Sequence, residues 1–66
     1  MIEYTNSQIN HIIDEHIHSE RDRMILKSRY IDGLTYDALS NKYDLSIKQI
    51  SNIINKHESV LFKWLE

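Results

Sequence analysis

The segment from Ser46 to His57 contains amide, hydroxyl and ammonium side chains but no aspartate or glutamate. The whole chain has ten acidic residues, so a purely solvated segment would be expected to include one. An asparagine amide can pair with the N6 and N7 edge of adenine, a lysine can donate to guanine, and a serine can donate or accept. This chemistry suits base edges and phosphates of double-stranded DNA, and a solvated helix face without a partner is the alternative.

Helical spacing divides this segment into two faces when each residue is given 100° of rotation. The apolar direction contains Ile50, Ile53, Ile54 and His57. The opposite direction, which we call the outer face, contains Lys48, Ser51, Asn52 and Asn55. We therefore expect the isoleucines to pack inward. His57 is interpreted as a packed or hydrogen-bonded core histidine.

Capping residues mark the helix ends, because the chain has one glycine and no proline. The predicted N-caps are Thr5, Ser19, Thr35 and Ser46, and the first of them forms a capping box with Gln8. These caps predict helices over about 6–18 and 20–32, a third of about two turns, and a long last helix to about residue 63. Gly33 is the expected left-handed C-cap, and Asp44 and Leu45 form the turn. The predicted fold is all-α, with four helices and no strand.

Length and composition restrict the class of protein. Sixty-six residues predict one domain, 1–66, of modest stability. There is no cysteine, no glycine-rich phosphate loop and no acid–base pair in a plausible pocket, so neither an enzyme nor a cofactor is predicted. No apolar run is long enough for a membrane span and no signal peptide is evident, so a cytoplasmic location is expected.

Two helices joined by a short turn, here over about 35–56, form the layout that places a recognition helix in the major groove. We expect the outer face to meet base edges or nearby phosphates, and polar groups of the preceding helix to contact the DNA backbone. The residues predicted to bind DNA are Thr35, Asn41, Lys42, Ser46, Lys48, Gln49, Ser51, Asn52, Asn55 and Lys56.

The same region resembles a known family. Residues 25–39, Ile-Leu-Lys-Ser-Arg-Tyr-Ile-Asp-Gly-Leu-Thr-Tyr-Asp-Ala-Leu, are similar to the start of the fourth region of bacterial sigma factors, and the resemblance covers about 20–57. It implies promoter binding beside a core polymerase. Ser40 stands where the family usually has alanine and Asp44 where it has the turn glycine. Nothing in the sequence matches the region that holds the polymerase, so a complete sigma factor is not predicted.

The net charge and its distribution along the chain are compatible with a second function. The formal net charge is −2, and residues 1–20 contain four acidic groups and no lysine or arginine. Residues 21–66 hold eight basic groups against six acidic ones, which is locally +2. The alternative is a protein-interaction module that engages RNA polymerase, a sigma factor or another regulator.

Three further groups have competing interpretations. Phosphate contact and surface ion pairing are equally supported for Arg21, Arg23, Lys27 and Arg29. A polar helix face without metal is preferred over a metal site for His11, Asp14, Glu15 and His18. A homodimer interface is slightly favoured over completion of the core for Leu61, Phe62, Trp64 and Leu65.

Overall fold

The computed structural model describes residues 5–65, with the side chains of residues 5–63. Within this range there are four helices and no strand, which confirms the predicted all-α fold. The helices are α1 (Asn6–His16), α2 (Glu20–Tyr30), α3 (Tyr36–Tyr43) and α4 (Ile47–Leu65). α2 and α4 each pack against all three other helices, and α4 is the longest helix of the bundle.

The predicted caps begin the helices. The Thr5 hydroxyl accepts a hydrogen bond from the Gln8 N–H at 3.1 Å, while Gln8 Oε1 accepts one from the Thr5 N–H at 2.9 Å. Ser19 accepts from the Asp22 N–H at 3.4 Å. Each cap satisfies N–H groups that have no partner inside the helix.

The predicted C-terminal ends of the helices were less accurate than the predicted N-terminal ends. α1 ends two residues before the expected His18, because Ile17 is already extended (φ −109°, ψ 115°) and turns its side chain into the core. α2 ends two residues before Asp32, and Gly33 then adopts the expected left-handed conformation with φ +72°. α4 runs two residues beyond the expected end.

One apolar core joins all four helices. Its buried side chains are Ile13, Ile17, Ile25, Leu26, Leu39, Ile50, Ile54 and Leu61. Burying each of these aliphatic side chains contributes about 1.5–3 kcal/mol relative to leaving it exposed. Because three of the eight belong to α4, the core determines which face of α4 remains in solvent.

A polar contact fixes α3 on α2. The hydroxyls of Ser28 and Tyr43 lie 2.7 Å apart, and the Tyr43 hydroxyl also donates to the carbonyl of Met24 at 3.2 Å. Ser28 is buried, so its hydroxyl requires a partner of this kind. The last residue of α3 is thereby held to the middle of α2.

A buried hydrogen bond between side chains links α2 to α4. Nε2 of His57 lies 2.8 Å from Oδ2 of Asp22, and both side chains are largely buried. The other carboxylate oxygen, Oδ1, accepts from Nε and Nη2 of Arg21, each at 3.3 Å. This confirms His57 as a hydrogen-bonded interior histidine. Asp22 is 5% exposed.

The electrostatic balance at Asp22 favours its charged form. Burial raises the pKa of Asp22, but the hydrogen bonds with His57 and Arg21 lower it, and the net pKa lies below the ordinary value of 3.8. A carboxyl group of this kind stabilises the folded state above its unfolded pKa. That stability is lost as the pH falls through the lowered folded value.

The first prediction concerns Asp22→Asn, which removes the charge and keeps the shape. At neutral pH the free energy of unfolding should fall by about 1–3 kcal/mol, because His57 and Arg21 lose a charged acceptor. Urea unfolding between neutral pH and about pH 3 should show this difference shrinking below pH 3.8, where proton uptake by the carboxyl group begins to favour the unfolded wild-type chain. Asp32→Asn, at an exposed aspartate, is the control and should change little. A difference independent of pH would contradict the assignment.

Candidate nucleic-acid interface

The turn between α3 and α4 connects the two helices of the predicted motif. Thr35 caps α3 by accepting from the Ala38 N–H at 3.1 Å. At the other end Asp44 takes the left-handed conformation, with φ 55° and ψ 45°. The Leu45 N–H donates to the carbonyl of Ser40 at 3.1 Å, and the Ser40 hydroxyl donates to the carbonyl of Leu45. Both sides of the turn are therefore closed by hydrogen bonds.

α4 begins with a second capping box. The Ser46 hydroxyl accepts from the Gln49 N–H at 3.1 Å, and Gln49 Oε1 accepts from the Ser46 N–H at 2.9 Å. Both were predicted to contact DNA. In the structure their side-chain oxygens are occupied in capping the helix.

The outer face of α4 lies opposite the core, as the spacing predicted. Ile50 and Ile54 are buried, while the side chains of Lys48, Asn52 and Asn55 are exposed. Ser51 is half-buried and accepts a hydrogen bond from Asn55 Nδ2 at 3.3 Å. Of the ten predicted residues, the other nine are exposed.

The ten residues fall into two groups. Ser46, Lys48, Gln49, Ser51, Asn52, Asn55 and Lys56 follow one another along α4 and its cap. Thr35, Asn41 and Lys42 lie on α3 or its cap, and among the described residues no hydrogen bond joins them to the α4 group. The Lys42 ammonium lies 5.5 Å from the centre of the neighbouring Tyr43 ring, which leaves it accessible to solvent.

A small open cleft adds one residue to this surface. Its volume is about 180 Å³, and its lining residues are Arg21, Leu45, Gln49, Asn52 and Ile53. The cleft is below the size of pockets that enclose small-molecule ligands, about 300–1,000 Å³. Its importance is that the start of α2 brings an arginine, 60% exposed, beside α4.

Arg21 was given two interpretations from the sequence, and the structure shows the surface ion pair, with Asp22. Its guanidinium pairs with Asp22 and also lines the cleft with Asn52, which lies 31 positions away in the sequence. No local pattern brings these two residues together. Only the packing of α2 on α4 reveals their proximity.

Two other basic residues of α2 have partners within the fold. Lys27 Nζ lies 2.7 Å from Asp14 Oδ1 of α1, and this hydrogen bond lowers the pKa of Asp14. Arg29 donates to the carbonyl of Leu34 at 3.0 Å and lies 5.0 Å from the centre of the Tyr36 ring. These contacts support the surface-pairing interpretation for Lys27 and a structural role for Arg29.

Comparison with known families decides the classification. Residues 19–56 match the family model described as Sigma-70, region 4. The chain belongs to this family. Region 4 is a DNA-binding helix-turn-helix domain that can contact RNA polymerase, and the matched segment contains α2, α3, the turn and the first half of α4. No significant match was found among curated proteins or among solved structures.

Both departures from the usual region 4 pattern have a structural role. Asp44 adopts the left-handed conformation for which the family uses glycine, and aspartate enters this region more readily than most residues. Ser40 replaces the usual alanine, and its hydroxyl donates across the turn. The region 4 turn is thus closed despite the two substitutions.

The remaining predicted sites have separate outcomes. In the described part of the region 4 domain, no group of three or more His, Cys, Asp or Glu residues could hold a metal ion. Leu61 belongs to the core, whereas Phe62 is 48% exposed. The side chains of Trp64 and Leu65 lie outside the described residues. No described helix is long and apolar enough to cross a membrane.

The second prediction concerns the backbone strain at Asp44. Glycine adopts the left-handed conformation freely, whereas a Cβ in that conformation costs about 1–2 kcal/mol. Asp44→Gly should therefore be more stable than Asp44→Ala by about 1 kcal/mol, and both substitutions remove the same carboxylate. Thermal unfolding followed by circular dichroism measures the difference. Equal stability of the two variants would show that the turn carries no such strain.

Proposed function

We propose that this region 4 domain, over residues 1–66, is a sequence-specific regulator of transcription that binds double-stranded DNA with α4 in the major groove. The proposal places the protein in the cytoplasm. The observation that carries it is the outer face of α4, which is exposed opposite the core and belongs to a segment, Ser46 to His57, without a carboxylate. Membership of a DNA-binding family supports the same conclusion.

Two side chains of the outer face are the proposed readers of bases. Lys48 and Asn52 are four residues apart and therefore adjacent on the helix. Within the described residues neither has a side-chain hydrogen bond or ion pair, so both are available to a partner. Asn52 is assigned to an adenine edge and Lys48 to guanine or a phosphate. Ser51 and Asn55, which bond to each other, have part of their capacity left for bases.

The DNA backbone is the proposed ligand of the surrounding groups. Arg21 flanks α4 on the cleft side, and Lys56 follows the outer face along the helix. Asn41, Lys42 and the helix start capped by Thr35 would meet phosphates from α3. If Arg21, Lys42, Lys48 and Lys56 each neutralise one phosphate, the logarithm of affinity should fall with the logarithm of salt concentration at a slope of about −3 to −4.

A protein-interaction module remains the second candidate. Two kinds of exposed group favour a protein partner over DNA: the carboxylates Asp14 and Glu15 on α1, and the half-exposed hydrophobic residues Met24 and Phe62. The partner would be RNA polymerase, a sigma factor or another regulator. An interface built on these apolar groups would depend little on salt.

Selection from a random pool of double-stranded DNA separates the candidates. The proposed function requires enrichment of a common sequence over a mock selection without protein, and steep weakening of the selected complex as salt rises. Failure to enrich any sequence, together with binding to polymerase or a sigma factor at high salt, would favour the interaction module. A palindromic selected site would indicate two copies on the DNA.

The third prediction separates base reading from phosphate contact. Asn52→Ala should cost about 1–3 kcal/mol of binding on the selected site and less on random DNA, so specificity falls with affinity. Arg21→Ala should weaken binding to all sequences and reduce the magnitude of the salt slope by about one unit. Lys48→Ala should follow one pattern or the other, according to its partner. Fluorescence anisotropy at several salt concentrations measures both quantities.

Arg23→Ala is the matched control for Arg21→Ala. It removes the same charge from the same helix, but Arg23 does not line the cleft beside α4. Its salt slope should equal that of the wild type. Unchanged affinity in folded Arg21→Ala, Lys48→Ala and Asn52→Ala proteins would show that this surface does not bind DNA.

The fourth prediction concerns association of two copies, which we include in the proposal. Leu61 is buried within its own chain, so Phe62 is the described residue of the C-terminal cluster that can meet a partner. Sedimentation should show a dimer for the wild type and a smaller mass for Phe62→Ser at the same concentration, with helix content unchanged. A wild-type monomer, or a Phe62→Ser dimer of equal affinity, would contradict an interface at this position.

A further inference from the structure

Ile47, the first residue of α4, has an exposed side chain. Among the described residues, the large hydrophobic side chains that are about half exposed are Met24, Ile47 and Phe62. Ile47 is the one that lies within the carboxylate-free segment of α4, and it is not among the hydrophobic residues packed against the core. An isolated exposed isoleucine is common on protein surfaces, so the position of Ile47 in the fold matters more than its exposure.

That position is the start of the recognition helix. In helix-turn-helix proteins the N-terminal residues of this helix contact base edges. The neighbouring Ser46 and Gln49 use their side-chain oxygens in the capping box. Ile47 and Lys48 are the two exposed side chains at this end of α4 that take no part in the capping box. Lys48 can form hydrogen bonds through its side chain, and Ile47 cannot.

The chemistry of the major groove limits what Ile47 can meet. The edges of guanine, cytosine and adenine present hydrogen-bonding groups there, and thymine adds a methyl group at C5. An isoleucine against a polar edge would remove water without replacing its hydrogen bonds. Against the thymine methyl it would bury apolar surface on both sides. Isoleucine is also stiff at χ1 in a helix, so little side-chain freedom is lost on contact.

We propose that Ile47 is a specificity-determining residue that selects thymine in the bound DNA through apolar contact with its C5 methyl group. This inference rests on the proposed function. It adds an apolar base contact to the polar base contacts proposed for Lys48 and Asn52. Recognition at one position of the DNA site then depends on a single methyl group.

Deoxyuridine tests the proposal, because it differs from thymidine only by the absence of that methyl. Each thymine of the selected duplex is replaced singly, and affinity is measured for the wild type and Ile47→Ala. At one position the wild type should lose about threefold to tenfold in affinity, as expected for burial of one methyl group. Ile47→Ala should bind the thymine duplex more weakly and show no further loss with deoxyuridine at that position.

Two control variants accompany this measurement. Ile47→Val keeps a branched apolar side chain and should retain most of the sensitivity to the methyl, which also keeps the test valid if Ile47→Ala folds poorly. Met24→Ala removes a similarly exposed hydrophobic residue, from α2, and should respond to deoxyuridine as the wild type does. Circular dichroism confirms the helix content of each variant.

The outcomes distinguish this inference from the proposed function. Enrichment of a DNA sequence with equal deoxyuridine losses in wild type and Ile47→Ala would overturn the role of Ile47 alone. The same holds if no thymine of the selected site is sensitive to loss of its methyl. If the wild type selects no sequence at all, the proposed function and the role of Ile47 fail together.

Discussion

The candidate interface depends on the burial of one side of α4. Ile50, Ile54 and Leu61 lie in the core that joins the four helices, so this helix cannot rotate about its axis without exposing them. The positions of Lys48 and Asn52 in solvent follow from that restriction. A chain of this size has few apolar residues to spare, and the same isoleucines that stabilise the bundle also orient its polar surface.

Polar contacts fix the position of one helix along another, which apolar packing alone does not do. Asp22 is bonded on one oxygen to His57 of α4 and on the other to Arg21 at the cleft. Buried ion pairs often contribute little net stability over apolar replacements, but each partner has to be in place for the other to be tolerated. The pair therefore favours one position of α2 along α4, and that position also presents Arg21 beside Asn52.

The local features of the fold could be predicted, and the tertiary ones could not. Capping residues such as Thr35 and Ser46 revealed where helices begin, because a cap acts on N–H groups within three residues of itself. The two faces of α4 followed from its own spacing. The ends of α1 and α2 did not, since Ile17 leaves the helix to enter the core and no proline marks the change. The cleft and the buried hydrogen bond between Asp22 and His57 bring together residues more than 30 positions apart, which no local pattern predicts.

The location of His57 has an evolutionary consequence. The family match ends at residue 56, so the partner of the buried Asp22 lies just beyond the matched segment. An acidic residue in the matched part of α2 is thus balanced by a residue outside the match. Within this lineage, substitutions at the two positions should be accepted together, because either one alone leaves an unpaired polar group in the interior.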